Sequence, residues 1–176
     1  MDHNFIRNQL ATYIPNIDIV RDDHDLKPGM GPDDHLTSAA VLVPIVLHDN
    51  ITALFTQRAM RMKKHSGQIS FPGGHVEDED IDAEATALRE TEEEVGINST
   101  YIEIIGRLDT YVIRTGFLVT PVVGFLKPPF IITPDDHEVD EVFEVPLSFL
   151  MDRNNHQRHS RELNGQNRDY YAIPYE

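Results

Sequence analysis

Four glutamates, Glu90, Glu92, Glu93 and Glu94, fall within five positions at the end of a segment with helical spacing. Asp82 is placed to cap that helix, and Ala83, Ala87, Leu88, Thr91 and Val95 recur at the intervals of a packing stripe. Gly96 supplies the stop. Carboxylates at a helix C-terminus oppose the helix dipole, and like charges three or four residues apart repel. Each penalty is only a few tenths of a kcal/mol to about 1 kcal/mol, but all share one sign. A chain that keeps this arrangement needs a compensating positive charge. At about 100° per residue, Glu90, Glu93 and Glu94 share one face and Glu92 points away. Arg89 lies four residues before Glu93, the spacing of an orienting ion pair. An all-oxygen face of this kind suits Mg2+ or Mn2+.

The segment "FPGGH" (71–75) precedes the helix and predicts a tight turn poor in side chains. Elsewhere the spacing predicts a short helix over 4–13 and a polar loop over 21–35. Strands are predicted over 39–48 and 51–58, with Asp49-Asn50 as their turn. Residues 59–75 read as a loop. Further strands are expected at 101–113, 116–126 and 141–150, the last turning helical after Pro146. Residues 152–169 read as a polar loop, and 170–175 as a last strand. The sum is α/β or α+β with a mixed sheet. Absence of a regular βαβα alternation disfavours Rossmann and barrel architectures.

With 176 residues, 40% hydrophobic and 26% charged, the chain has the composition of one ordinary globular domain. Its net charge of −15 disfavours nucleic acid and anionic membranes as partners. It has no cysteine, which excludes disulfides, thiol nucleophiles and Cys-based zinc sites and fits a reducing cytoplasm. The N-terminal residues lack a signal-peptide pattern. The longest apolar run, 39–47, is too short to span a bilayer and contains Pro44. The nine histidines form no HExxH, and His156 and His159 read as surface residues.

Residues 73–97, "GGHVEDEDIDAEATALRETEEEVGI", resemble the signature box of the Nudix hydrolases. Arg89, Glu90, Glu93, Glu94, Gly96 and Ile97 match its Arg-Glu-x-x-Glu-Glu-x-Gly-hydrophobic core. Two departures occur: Thr91 stands where the box is usually aliphatic, and one extra residue separates Gly74 from Arg89. Asp80 or Asp82 stands in for the usual upstream glutamate. The resemblance implies a single domain (1–176) with a Nudix-like α/β/α sandwich and a mixed β-sheet. It implies hydrolysis of a nucleoside-linked phosphoanhydride with Mg2+ or Mn2+. Glu90, Glu93 and Glu94 would be metal ligands, with Glu90 or Glu93 the base and Arg89 the residue that orients them.

The segment "LFTQRAMRMKKHSGQISFPGG" (54–74) is similar to a second motif, that of the coenzyme A pyrophosphatase branch. Leu54, Thr56, Arg58, Ala59, Gly67, Phe71, Pro72, Gly73 and Gly74 match in register. Lys63 occupies an arginine position, and the extra residue in the box is usual in this branch. The implied substrate is coenzyme A or an acyl-CoA, a small nucleoside diphosphate derivative. Arg58, Arg61, Lys63 and Lys64 form the densest basic cluster, directly before ten carboxylates in 77–94. They are expected to hold substrate phosphates, with Gly73 and Gly74 letting the backbone pass close. In "HEVDE" (137–141), Glu138 or Glu141 could supply an accessory carboxylate. The alternatives are ADP-ribose or NADH as substrate, or a catalytically silent nucleotide sensor. Members of this branch usually continue into a further segment after a strand such as 170–175, a segment that bears on substrate fit. A homodimer is compatible with the sequence.

Overall fold

The computed structural model describes residues 2–15, 21–22, 36–62, 65–113, 116–163 and 166–175. In chain order the elements are α1 (His3–Thr12), β1 (Arg21–Asp22), β2 (Thr37–Val46), β3 (Thr52–Arg58), β4 (Ile69–Ser70), β5 (Gly73–His75) and α2 (Ala83–Val95). After these come β6 (Ile102–Arg107), β7 (Tyr111–Ile113), β8 (Phe117–Leu126), β9 (Val139–Pro146), α3 (Leu147–Met151), β10 (Gln157–Leu163) and β11 (Gln166–Ala172).

The centre of the fold is the parallel pair β2–β8, in register from Thr37 opposite Phe117 to Val46 opposite Leu126. Both strands end in nearly continuous apolar runs, as strands covered on both faces do. Pro44 sits inside β2, where a missing N–H is normally costly. It is tolerated because the other edge of β2 changes partners there: β5 pairs Ala39–Val41, and β3 pairs Ile45–Val46. Strand β6 pairs with β8 and β9 with β3, giving among the described residues a mixed sheet of nine strands.

Helices cover both faces, so the α/β/α sandwich is present. Helix α2 lays Ala87 on Ala40, Leu42 and Val122, and Val95 on Val46, Leu54 and Leu126. On the other face Ile6 and Leu10 of α1, with Leu147 and Leu150 of α3, pack on Ile45, Ala53, Val123 and Phe125. Among the described residues no helix is long and apolar enough to cross a membrane.

Four expectations need correction. The stretch 101–113 is two strands, with a register shift between Ile104 and Gly106 and residues 108–110 between them. Within the predicted loop 59–75, β4 and β5 form because β3 and β2 offer them edges. The predicted loop 152–169 instead contains most of the β10–β11 hairpin, a separate two-stranded sheet. Residues 157–162 are mostly polar and all exposed, so they give no one-sided alternation to read. In the predicted stripe of α2, Leu88 is only half-buried, while Thr86 and Glu94 are fully buried. Most of the predicted loop 21–35 lies outside the described residues.

Candidate active site

Helix α2 places the carboxylates. The Asp82 side chain accepts from Ala85 N–H at 2.8 Å, and Gly96 ends the helix in the left-handed region at φ 70°. Thr133 N–H donates to Val95 O and Asp135 N–H to Glu94 O, so the segment after β8 satisfies carbonyls of the last turn. Thr91, at the position where an aliphatic side chain was expected, is buried and donates its hydroxyl to Ala87 O at 2.6 Å.

Glu94 is only 4% exposed. Its carboxylate accepts from Gly73 N–H at 3.2 Å and lies 3.3 Å from Arg58 Nη1. Burial pushes its pKa up to about 7, despite the Gly73 N–H and the Arg58 charge that oppose the shift. Burial likewise raises Glu90, against the pull of Arg89. Glu93 is 59% exposed and accepts from Arg89 Nη1 at 3.0 Å, and Glu90 accepts from the same nitrogen at 3.0 Å. Glu92 points away and accepts from Asn98 Nδ2.

Arg89 is itself held by Asp80. Its Nε donates to Asp80 Oδ1 at 3.2 Å and its Nη2 to Asp80 Oδ2 at 2.9 Å and to His75 O at 2.9 Å. Asp80 also accepts from Glu77 N–H and the Thr86 hydroxyl, and these bonds, Arg89's foremost, hold its carboxyl well below the usual range. The two upstream aspartates therefore have different roles: Asp82 caps the helix, and Asp80 aims Arg89. Sequence supplied one signal for this, since a helix has one N-cap and the second aspartate was left without a task.

The remaining predicted residues divide. Glu138 is brought to the carboxylate face, its Oε2 3.9 Å from Arg58 Nη2. The backbone bond from Ala59 N–H to Glu138 O ties this loop to the end of β3. Glu141 is not brought there; it lines a cavity reached from the other face of β3. Arg58 turns inward between Glu94 and Glu138, with its Nε buried and unpartnered. Arg61 is exposed, its Nη2 3.7 Å from Asp140. Lys63 and Lys64 lie outside the described residues. His159 is exposed, and the half-buried His156 ring meets Leu150 O at 2.7 Å.

Gly73 and Gly74 are fixed by close approach. A Cβ on Gly73 would lie 2.4 Å from Ala40 O and 2.6 Å from Val41 Cα, and one on Gly74 would lie 2.4 Å from Glu90 Oε1. The two should fail differently. Gly73→Ala presses on backbone and is expected to cost about 1–3 kcal/mol, seen as a lower Tm. Gly74→Ala meets the end of a flexible side chain, so the fold should hold while Glu90 is displaced. A displacement of about 1 Å costs roughly a hundredfold in rate. An unchanged rate in Gly74→Ala would show that Glu90 has no required position.

Among the described residues no three His, Asp or Glu side chains converge closely enough to enclose a cation. The donor chemistry nevertheless suits a hard divalent ion. The Glu138 charge adds to the upward shift of both Glu90 and Glu94, and the space between Glu94 and Glu138 is spanned by the Arg58 guanidinium.

Residues 36–164 match the NUDIX domain family model, and the chain belongs to that family. It is 48% identical over 110 residues to the uncharacterized Nudix hydrolase NudL of Escherichia coli (strain K12 / DH10B), covering 62% of this chain and 57% of the relative. The match thus spans little more than half the length of the curated relatives. Among solved structures the fold is similar to a C. elegans Ap4A hydrolase binary complex, with TM-score 0.52 and 25% identity over 62% of this chain and 80% of that one. It is also similar to the MutT protein from Methanosarcina mazei Go1, with TM-score 0.53 and 18% identity over 67% and 82% of the two chains. The second likeness is one of fold alone.

Proposed function

We propose that the protein hydrolyses the diphosphate of coenzyme A or an acyl-CoA, giving 3′-phosphoadenosine 5′-phosphate and phosphopantetheine or its acyl form. One observation carries the reading. Arg58, from the motif resembling the coenzyme A branch, lies at 3.3 Å from Glu94, from the Nudix box. Two segments that match separate motifs thus meet at one place.

Glu90, Glu93 and Glu94 would hold Mg2+ or Mn2+, with Glu138 accessory. When bound, such an ion neutralises the diphosphate and acidifies the attacking water. The chain's own groups do the rest. A water oxygen attacks one phosphorus, the bridging P–O bond breaks, and the water's proton passes to a carboxylate. Glu90 is favoured as that base because Arg89 and the close Gly74 backbone hold its carboxylate in place on the face. Asp80 aims Arg89, and Arg89 fixes Glu90 and Glu93. Arg58, held between Glu94 and Glu138, would offer its guanidinium to substrate phosphate.

The test is kcat/KM over a substrate panel with Mg2+. Coenzyme A carries a 3′-phosphate that dephospho-CoA, ADP-ribose and NADH lack. In a chain of net charge −15 that group needs local cations. Coenzyme A is expected to exceed dephospho-CoA by roughly fivefold to a hundredfold, the range between an exposed ionic contact and a desolvated charge-assisted bond. Equal values would move the assignment to the ADP-ribose class. Binding of every substrate with no turnover would identify a sensor.

A further inference from the structure

A cavity of about 560 Å³ opens on the face of the sheet opposite α2, within the size range of small-molecule pockets. Alternation along β3 builds it. Leu54 packs beneath α2 and Arg58 meets Glu94 on that side, whereas Phe55 and Gln57 line the cavity. Phe55 stacks on Phe71 at 4.7 Å and on Phe143 at 5.8 Å, giving a rigid aromatic floor. Ile69, Ile173 and Tyr175 border it and are exposed, with Ile69 61% exposed. Large apolar side chains gathered around an opening mark a binding surface rather than ordinary solvent contact.

We propose that this cavity receives the uncharged pantetheine arm of the substrate, with any acyl group on its thiol; the assignment rests on the coenzyme A reading above. Charge decides which half of the substrate enters. Among the described residues that line it, the charged ones are Glu141 and Glu144 and none is a cation. Glu144 already accepts from the Thr52 hydroxyl beside His48, so a 3′-phosphoadenosine half would bring its phosphate against the Glu141 carboxylate. The pantetheine arm beyond its phosphate is neutral, largely apolar and bears two amides, for which Gln57 offers both a donor and an acceptor. The rings also disfavour a nucleobase, because Phe55 is already stacked on Phe71 and Phe143.

The arm can reach. Gln57 directly precedes Arg58, and Ile69 is four residues before Gly73, whose N–H bonds Glu94. The cavity and the carboxylate face are back to back across the end of β3. The arm is equivalent to about four residues of extended chain, roughly 13 Å. Stacked layers lie about 10 Å apart, so an arm of this length is long enough to pass from one face to the other at the end of β3.

The experiment compares wild type with Ile69→Trp and Ile173→Trp, which narrow the cavity from two walls at exposed positions. The readouts are kcat/KM for coenzyme A, acetyl-CoA and hexanoyl-CoA, and the inhibition constant of 3′-phosphoadenosine 5′-phosphate. Both variants should lose at least about tenfold on hexanoyl-CoA and less on coenzyme A, with the inhibition constant unchanged. Unchanged hexanoyl-CoA cleavage in both variants, or equal losses on all substrates with weaker product inhibition, would overturn the cavity assignment and leave the coenzyme A reading intact. Failure of the wild type to cleave coenzyme A at all overturns that reading, and the assignment with it.

Discussion

Glu94→Gln is expected to lower turnover at saturating Mg2+ by at least about a hundredfold, the scale of losing one key electrostatic group. It should do so without loss of folding stability at neutral pH. The amide still accepts from Gly73 N–H, and a buried carboxylate whose ionisation is opposed by burial disappears. The sign of the pH dependence follows from the raised pKa. The folded state holds the Glu94 proton up to about pH 7, whereas the unfolded chain releases it near 4.5. The contribution to stability is therefore fully present below 4.5 and is lost as pH rises through 7. In metal-free protein, Tm should fall between pH 5 and 8, and Glu94→Gln should flatten that fall. Glu92→Gln is the control, because Glu92 is exposed and off the face. It should change stability by less than about 0.5 kcal/mol and leave turnover nearly intact. Near-wild-type turnover in Glu94→Gln, or a collapse in Glu92→Gln, would contradict the helical phase on which the site is built.

Asp80→Ala should have the largest effect on the fold itself. Asp80 is 6% exposed at its side chain and takes two guanidinium donors, one amide and one hydroxyl. Breaking a buried ion pair from one side costs about 3–5 kcal/mol. Arg89 retains Glu90, Glu93 and His75 O, which points to the lower end. At 2–4 °C per kcal/mol for a domain of this size, the expected fall in Tm is roughly 6–12 °C. The Asp80 carboxyl is held below its ordinary value, so its contribution is present above the unfolded pKa of 3.8 and fades as pH falls below it. The gap between wild type and Asp80→Ala in urea unfolding should therefore be wide at pH 7 and narrower at pH 3. Turnover should also fall at least tenfold, because Arg89 loses the fork that aims it. Equal Tm values at pH 7 would show that Arg89 is positioned without Asp80.

Helix α2 was legible because its signals are local: Asp82 before it, Gly96 after it and an apolar stripe between. The mixed sheet was legible in outline because β2 and β8 are apolar enough to be covered on both faces. What escaped the sequence depends on distant partners. Strands β4 and β5 have two and three residues, and only the edges of β3 and β2 make them strands. Arg58 read as one of a basic cluster for substrate phosphates, with no sign in the sequence that its guanidinium is set against Glu94 and Glu138, separated from it by 36 and 80 residues. Glu138 and Glu141 looked equivalent in "HEVDE", but Glu138 precedes β9 in a loop tied to Ala59, whereas Glu141 lies within β9 beyond a register shift and lines the cavity. The aromatic cavity joins residues from 55 to 175, which no local pattern brings together.

The most direct measurement is product analysis of coenzyme A incubated with the protein and Mg2+, followed by 31P spectroscopy and chromatography. The account predicts equal amounts of 3′-phosphoadenosine 5′-phosphate and 4′-phosphopantetheine, with formation abolished by a chelator and restored by added Mg2+ or Mn2+. An intact diphosphate with either metal, or cleavage that continues undiminished in chelator, would contradict it.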